Sequence, residues 1–519
     1  MAAQTGKRVN HMKTIREIWD TACNAYAERP AVRWLVKKEI KERSYEGLNE
    51  DITAVRKGLA ASGFSDAHIA LIGNASVEWI GSYLGITTGT NVAVPLDAGL
   101  PIEDLAALLN DADAQALFLS PRLAAAADTL RRECPKLRSI WLLQETAAEG
   151  METVTDLKAK GESVSDTAGR APDEIATLIY TSGTTGKSKG VMLTQLNLSE
   201  NVASVPFTVD PGCVLMSVLP VHHAFCLVMD WLKGFSLGSV ICINDSFMHM
   251  IRNMGIYQPD VMLMVPLMIE TIYKRLAAAD GAIPKSVVAG QVFGGKLRII
   301  FTGGAHLDPF YVDKLAEYGI QVLEGYGMSE CSPVISSNTP EDHKTGSIGK
   351  PLPNVKLRFV DGEIQVQGSS VMQGYYKMPK ETAETLAEGW LHTGDKGYLD
   401  EDGFLFINGR VKNLIILSNG ENISPEEIEN KLGISPLVGE IIVTGENNGL
   451  TARIYPDQDV VQAKGLEPEM IKASLQEMLD KYNLNQPTYR QITGLVIRQN
   501  PFHRNATGKI KRTEAELDD

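Results

Sequence analysis

Short, uninterrupted apolar runs alternate with segments of helical period across residues 69–302, and that alternation leaves few folds open. Ile69–Ile72, Val92–Leu96 and Ala116–Leu119 are too short for helices and apolar at successive positions. Runs of that kind read as strands buried on both faces. Between them, Val77–Thr88 and Ile102–Leu109 carry apolar residues at helical spacing, the first preceded by a capping Asn74-Ala75-Ser76. The pattern recurs at 139–143, 214–219, 240–243, 261–264 and 297–302. Strands that alternate with helices predict parallel-rich α/β sheets. Upstream, Met12–Ala27 and Ser44–Ser62 predict helices and 31–36 a strand. At 519 residues the chain exceeds what one core can hold, so more than one domain is expected.

Near residue 350 the texture changes. Val355–Phe359 and Gly362–Val366 read as short strands joined at Asp361-Gly362, with another at Gly403–Ile407, which predicts a β subdomain. Asn408–Asn413 reads as a junction. Beyond it, strands at 414–417 and 440–444 and helices at Pro425–Leu432 and Pro468–Lys481 predict a compact α+β unit of ordinary domain size. Residues 144–172 are polar and acidic and read as a surface connection, and Met12 reads as the start of the fold.

One loop stands out within this frame. Thr181–Gly190 reads TSGTTGKSKG, directly after the apolar run Ile175–Tyr180. Glycines let a ligand approach the backbone, and amide, hydroxyl and ammonium groups are what a phosphate needs. The spacing is not that of the ordinary nucleoside-triphosphate loop, which requires four residues between its first glycine and Gly-Lys. Gly183 and Gly186 are separated by two. Phosphate binding by the same physics on a different scaffold is expected, with a plain surface loop as the alternative.

Further candidates follow in order. Ile300–Ala305 is a strand ending in Gly303-Gly304, where a planar ligand can lie against backbone. Gly325–Glu330 sets Tyr326 between flexible glycines, with a carboxylate four residues beyond it. Trp390–Asp395 presents a carboxylate on a turn, Arg410 and Lys412 sit at the junction, and Lys509 follows a glycine near the C-terminus. Taken singly, Glu330 reads equally as a surface carboxylate, Asp395 as a turn residue, Lys509 as a solvated charge, and His222 and His223 as structural histidines.

The order of these motifs resembles the adenylate-forming superfamily, which spans acyl-CoA synthetases, nonribosomal adenylation domains and beetle luciferases. TSGTTGKSKG, GYGMSE, the Gly-Tyr-Tyr of 374–376, WLHTGD, GRVKNLIILSNGENISPEEIE and NATGKIKR all occur in the family's sequence, over roughly residues 14–512. The acyl-CoA synthetase branch is the nearest in pattern, through Leu417–Ile423. Two departures are conservative: Ser188 stands before Lys189-Gly190 where the family usually has proline, and Ser329 precedes Glu330 where it often has threonine.

The resemblance implies a large N-terminal adenylation domain, 12–410, and a small mobile lid, 411–519, turning about a hinge at Lys412. It implies catalytic roles for Lys509, Thr185, Glu330 and His223, and magnesium held by Glu330 and Thr184. ATP and AMP contacts fall on Thr181, Ser182, Gly183, Thr184, Thr185, Gly186, Lys189, Gly303, Gly304, Ala305, Glu324, Gly325, Tyr326, Gly327, Met328, Ser329, Asp395, Ile407, Arg410 and Lys509. A coenzyme A tunnel is implied at Ser418, Asn419 and Gly420. An acyl pocket is implied at His223, Phe225, Met229, Trp231 and Val334, favouring a fatty or other apolar acid, with no acidic residue suited to an α-ammonium. The implied reaction joins a carboxylic acid to coenzyme A through an acyl-adenylate, using ATP and Mg²⁺. Alternatives are a ligase that loads a carrier protein's pantetheine and an inactive nucleotide-binding protein.

Composition sets the outer limits. Fifty Lys and Arg against 64 Asp and Glu give a net charge of −14, which argues against general nucleic-acid or anionic-membrane binding. The six cysteines are scattered without a CxxC pair, which fits a reducing cytoplasm better than a zinc or disulfide framework. No apolar run has the length of a transmembrane helix.

Overall fold

The structure, a computed structural model, describes residues 13–144, 150–181, 188–279, 281, 284–416, 422–446, 449–503, 510 and 512. It divides into two compact units: residues 1–356 with 366–391, and residues 357–365 with 392–519.

Two sheets organise the first unit. One has nine strands, and its centre is parallel: Ile299–Thr302 lies between Val261–Met264 and Gln321–Gly327, and Val214–Ser217 between Val261–Met264 and Val240–Ile243. The other has seven, with His68–Ile72 between Val92–Leu96 and Ala116–Leu119 in parallel register. The expected alternation is therefore present, and its strands are the most buried segments of the chain, with Ile69, Ala70, Leu71 and Ile72 all fully enclosed. Leu105, Leu109 and Leu130 from the flanking helices close over this second sheet.

Local chemistry sets the helix starts. Ser44 and Ser76 accept the amides of Gly47 and Trp79, each at 3.1 Å, and begin Tyr45–Ala61 and Val77–Thr87. Thr194 and Asn197 form a reciprocal capping box that turns strand Lys189–Thr194 directly into helix Gln195–Ser204. Phe225–Lys233 is a π-helix, a rare form that recurs at functional sites.

The texture change near 350 corresponds to a four-stranded sheet, Val355–Val360, Glu363–Gly368, Leu391–Leu399 and Leu405–Arg410. Asp361 and Gly362 at its first turn both have positive φ, 50° and 81°. In the second unit, Val438–Glu446, Gly449–Pro456 and Ile492–Ile497 form a three-stranded sheet. Pro425–Gly433 and Pro468–Asn483 cover it through Ile428, Leu432, Leu475 and Leu479. Among the described residues no helix is long and apolar enough to cross a membrane, and all six cysteines are free thiols.

Candidate active site

The phosphate-loop candidate joins two antiparallel strands, Ile175–Thr181 and Lys189–Thr194, and Thr181 and Lys189 face each other across its base. The ordinary nucleotide loop runs from a strand into a helix. Here the flanking strands form a hairpin instead. Ser182, Gly183, Thr184, Thr185 and Gly186 lie outside the described residues, as do Ser418, Asn419, Gly420 and Lys509. The hairpin base is tied down on both sides. Tyr180 donates to Asp111 at 2.7 Å, and Tyr376 donates to Asp113 at 2.8 Å while its amide bonds the Gly190 carbonyl.

Three further segments lie at the carboxyl ends of the nine-stranded sheet's parallel strands, where open α/β sheets bind ligands. His222 and His223 follow Val214–Ser217, Gly303-Gly304-Ala305 follows Ile299–Thr302, and Glu324–Gly327 ends its own strand. A Cβ on Gly303 would sit 3.0 Å from the Gly325 carbonyl, so the glycine pair and the Gly-Tyr-Gly segment are in direct backbone apposition. The expectation that Gly325 and Gly327 are flexible is corrected. Both belong to strand Gln321–Gly327 and pair with Ser337 and Val334. They are glycines because another backbone lies against them.

Glu330 follows in a single 3-10 turn, Ser329–Cys331, and is buried. Two bonds from one segment fix it: Met372 N–H donates to its carbonyl and the Tyr375 hydroxyl to Oε1, both at 2.8 Å. Burial, reinforced by the Glu330 charge, raises the Tyr375 phenol, so it is held as a donor. Lys189 Nζ lies 4.7 Å from the centroid of the same ring. Among the described residues no cluster of three or more potential metal ligands gathers. A single oriented carboxylate fits magnesium, which commonly takes one or two protein carboxylates and fills its octahedron with phosphate oxygens and water.

The Glu324 carboxyl turns into the fold, toward the Gly346 amide. Burial raises its pKa to about 8, with the Asp308 charge adding and the Gly346 N–H opposing. An acid raised in the folded state contributes full stability below its ordinary value and loses it as pH climbs through the raised one. Glu324→Gln, which cannot ionise, should therefore gain on the wild type between about pH 4.5 and about pH 8. The gain should grow across that span to ~5 kcal/mol at most, because each tenfold change in a proton-binding equilibrium carries about 1.4 kcal/mol. Thermal melts across that range check it; a difference between the two proteins that does not vary with pH would refute it.

Around the acyl-pocket residues, Phe225 and Met229 lie one turn apart on the π-helix. The His222 and His223 rings are 4.2 Å apart, and burial, with His223 beside it, holds the His222 imidazole down at about 4. Val334 is buried on the strand paired with Gly327. Trp231 is fully buried against Phe235, inside an aromatic cluster with Trp19 and Tyr45, so it is a core residue. Residues 222–235 do contain an acid, Asp230. It faces strand Val214–Ser217, accepting from Ser217 Oγ at 2.9 Å and from the Cys226 thiol, and burial pushes its carboxyl up to about 7. It is thus engaged within the core.

In the second unit the structure brings Asp395 and Arg410 together: they are opposite partners in adjacent strands, with Arg410 Nε 2.9 Å from Asp395 Oδ1. The expectation of a turn at Asp395 is corrected. It lies buried in strand Leu391–Leu399, where Thr393 Oγ1 takes its amide. Ile407 is on the partner strand and Lys412 in the following 3-10 turn, Val411–Asn413. Two positioning residues carry no sequence signal. Asn201 bonds the Cys331 carbonyl and both backbone groups of Val334, holding the segment that directly follows Glu330, and Asn338 holds the Glu324 carbonyl. Both are buried amides outside the segments they hold, Asn201 by 130 residues and Asn338 by 14.

Comparison with known proteins identifies the family. Residues 19–376 match the AMP-binding enzyme family and residues 412–518 the AMP-binding enzyme C-terminal domain. The chain is 28% identical over 464 residues to a long-chain-fatty-acid–CoA ligase of Mycobacterium bovis, covering 78% of this chain and 77% of that one. It is 30% identical over 478 residues to 2-succinylbenzoate–CoA ligase of Bacillus cereus, covering 86% and 92%. In fold it resembles an anthranilate CoA ligase solved with anthranoyl-AMP, at a TM-score of 0.83 and 21% identity over 96% of this chain and 95% of the other. With both family domains matched over most of its length, this chain belongs to the AMP-binding enzymes.

Proposed function

We propose that the chain is an ATP-dependent carboxylate–CoA ligase whose acid is fatty or otherwise apolar. The observation that supports this reading best is that Lys189, at the base of the loop, and Glu330, far along the chain, both contact Tyr375. A cation and a carboxylate of the implied kinds thus share one aromatic neighbour within one unit, which supports a polyphosphate site there. The acid's oxygen attacks the α-phosphorus of ATP and displaces pyrophosphate; a thiol then attacks the acyl carbon, loses its proton and displaces AMP.

In this reading Thr181, Ser182, Gly183, Thr184, Thr185, Gly186 and Lys189 cradle the phosphates with backbone amides, hydroxyls and an ammonium. Gly303, Gly304, Ala305 and Tyr326 bound the adenine, Asp395 accepts the ribose hydroxyls, and Arg410 is held beside it. Glu330, with Thr184, holds Mg²⁺, which when bound neutralises charge on the polyphosphate. His223 stands between the phosphates and an acyl pocket lined by Phe225, Met229 and Val334. Lys509 bridges the acid and the phosphates. The functional boundary falls at 410/411, with Lys412 as the hinge of a lid that completes one step's site at a time and keeps water from the mixed anhydride. Gly420 with Ser418 and Asn419 leaves room for the thiol arm. A reducing cytoplasm suits the free thiols.

The test is pyrophosphate release from ATP and Mg²⁺ across a panel of fatty and aromatic acids, with coenzyme A and with a carrier protein as acceptor arms. Release that requires an apolar acid, followed by AMP formation with coenzyme A, is expected. Turnover only with the carrier protein would replace the acceptor, and no release with any acid would leave a nucleotide-binding protein without ligase activity.

A further inference from the structure

We infer that Tyr375 is a positioning residue that holds the Glu330 carboxylate and the Lys189 ammonium in fixed relation, coupling the loop to the cation-holding acid. The inference rests on the ligase reading above, because it assigns a task to residues of that same site.

The backbone of Tyr375 is part of the hairpin's own sheet. Gly374 and Tyr375 pair with Met192 and Val191 of the strand that leaves the loop, and Tyr375 N–H donates to Thr382 Oγ1 at 2.9 Å. The residue is 5% exposed, so its ring has little room to swing. Its hydroxyl ends on Glu330 Oε1 at 2.8 Å, and its face receives Lys189 Nζ at 4.7 Å from the centroid. An ammonium over a tyrosine face is an attractive contact, and a hydrogen bond to a carboxylate is stronger than one between neutral groups.

The consequence is geometric. A glutamate side chain has several rotatable bonds, and a cation that prefers near-ideal octahedral geometry tolerates little misplacement. The phenol engages one lone pair of Oε1 and restricts the side chain's rotation, which leaves the other carboxylate lone pairs for a cation. Groups of this kind, next to a ligand and hydrogen-bonded to it, orient metal ligands in many sites. The same ring seats Lys189, so a shift of the loop base is transmitted to the carboxylate through one rigid aromatic.

The test uses the full-length protein with ATP alone, titrated calorimetrically at graded Mg²⁺ and in excess chelator, so that no acyl substrate enters. Tyr375→Phe keeps the ring and removes the hydroxyl. It should raise the Mg²⁺ concentration that half-saturates tight ATP binding by roughly tenfold, in line with loss of a hydrogen bond to a charged group. ATP binding in chelator should be unchanged. The second arm guards against a general loss of fold: in a Glu330→Gln background, Tyr375→Phe should shift the Mg²⁺ midpoint no further, because the two act as a unit. A wild-type midpoint in Tyr375→Phe, or shifts that add in the double variant, would overturn the positioning role alone. Wild-type protein that shows no Mg²⁺-dependent ATP binding would overturn the ligase reading together with it.

Discussion

Gly327→Ala is expected to cost the fold more than about 3 kcal/mol, at the upper end of what a single overpacking change does. The added Cβ would lie 2.0 Å from the Pro333 carbonyl oxygen, 2.8 Å from its carbon and 3.0 Å from Val334 Cα. These are backbone atoms, so no side-chain rotation relieves the overlap. Met328 N–H donates to that same carbonyl at 2.9 Å, and Asn201 clamps both backbone groups of Val334. The strands can accommodate the methyl only by parting, and parting moves Tyr326 on one side and Glu330 on the other. Gly304→Ala is the control. Gly304 has φ +83° but nothing within 4 Å of the new Cβ. Its cost should be backbone strain alone, about 1 kcal/mol. Thermal melts with and without Mg²⁺ and ATP measure both. A Gly327→Ala protein that melts and binds nucleotide like the wild type would show that the close approach is not what the glycine serves.

The features legible in the sequence are those encoded by neighbours along the chain. Val92–Leu96 announces itself because a strand buried on both faces is apolar at every position, and Ser44 and Ser76 mark helix starts because a cap acts within one turn. Elements without that local signature escape notice. Glu39–Ser44 is an edge strand of largely charged, exposed residues, and Phe225–Lys233 closes i→i+5 turns, longer than the helical period by which helices are read. Trp390–Asp395 reads as a turn from its Gly394 and Asp395, yet pairing with Leu405–Arg410 carries the strand through.

The site divides along the same line. The residues at the loop's base, Glu330, Asp395 and Arg410 all stand out by type and order. The contacts that position them join residues far apart in the chain: Tyr375 with Glu330 across 45 residues, and Asn201 with Cys331 across 130. Glycine is the most misleading letter. Gly325 and Gly327 suggest flexibility, whereas their lack of a side chain serves close backbone approach, a demand set by a strand that arrives later in the sequence.

The largest functional effect should come from Lys509→Ala, and it should fall on one half of the reaction. In the proposed first step a carboxylate approaches a polyphosphate, so two anions must be brought together, and pre-placed positive charge is worth most where charge reorganises. Loss of the ammonium should slow adenylation by roughly a thousandfold, the scale seen when one such group is removed. The second step starts from an acyl-adenylate whose pyrophosphate has already left, so it has no such demand, and thioester formation from supplied acyl-adenylate should stay within about threefold of the wild type, or ~0.7 kcal/mol in the barrier. A bulky side chain at the proposed thiol passage, Gly420→Trp, should do the reverse: pyrophosphate release in a single turnover is kept while transfer to coenzyme A is lost. Rapid-quench measurement of each half-reaction with one responsive acid reads both variants. Equal loss of the two steps in Lys509→Ala would mean the lysine serves the fold or the lid as a whole, and undiminished transfer in Gly420→Trp would place the thiol arm elsewhere. A clean crossing of the two effects would assign the lysine to the first step and the glycine's open space to the second, the division that the proposed lid requires.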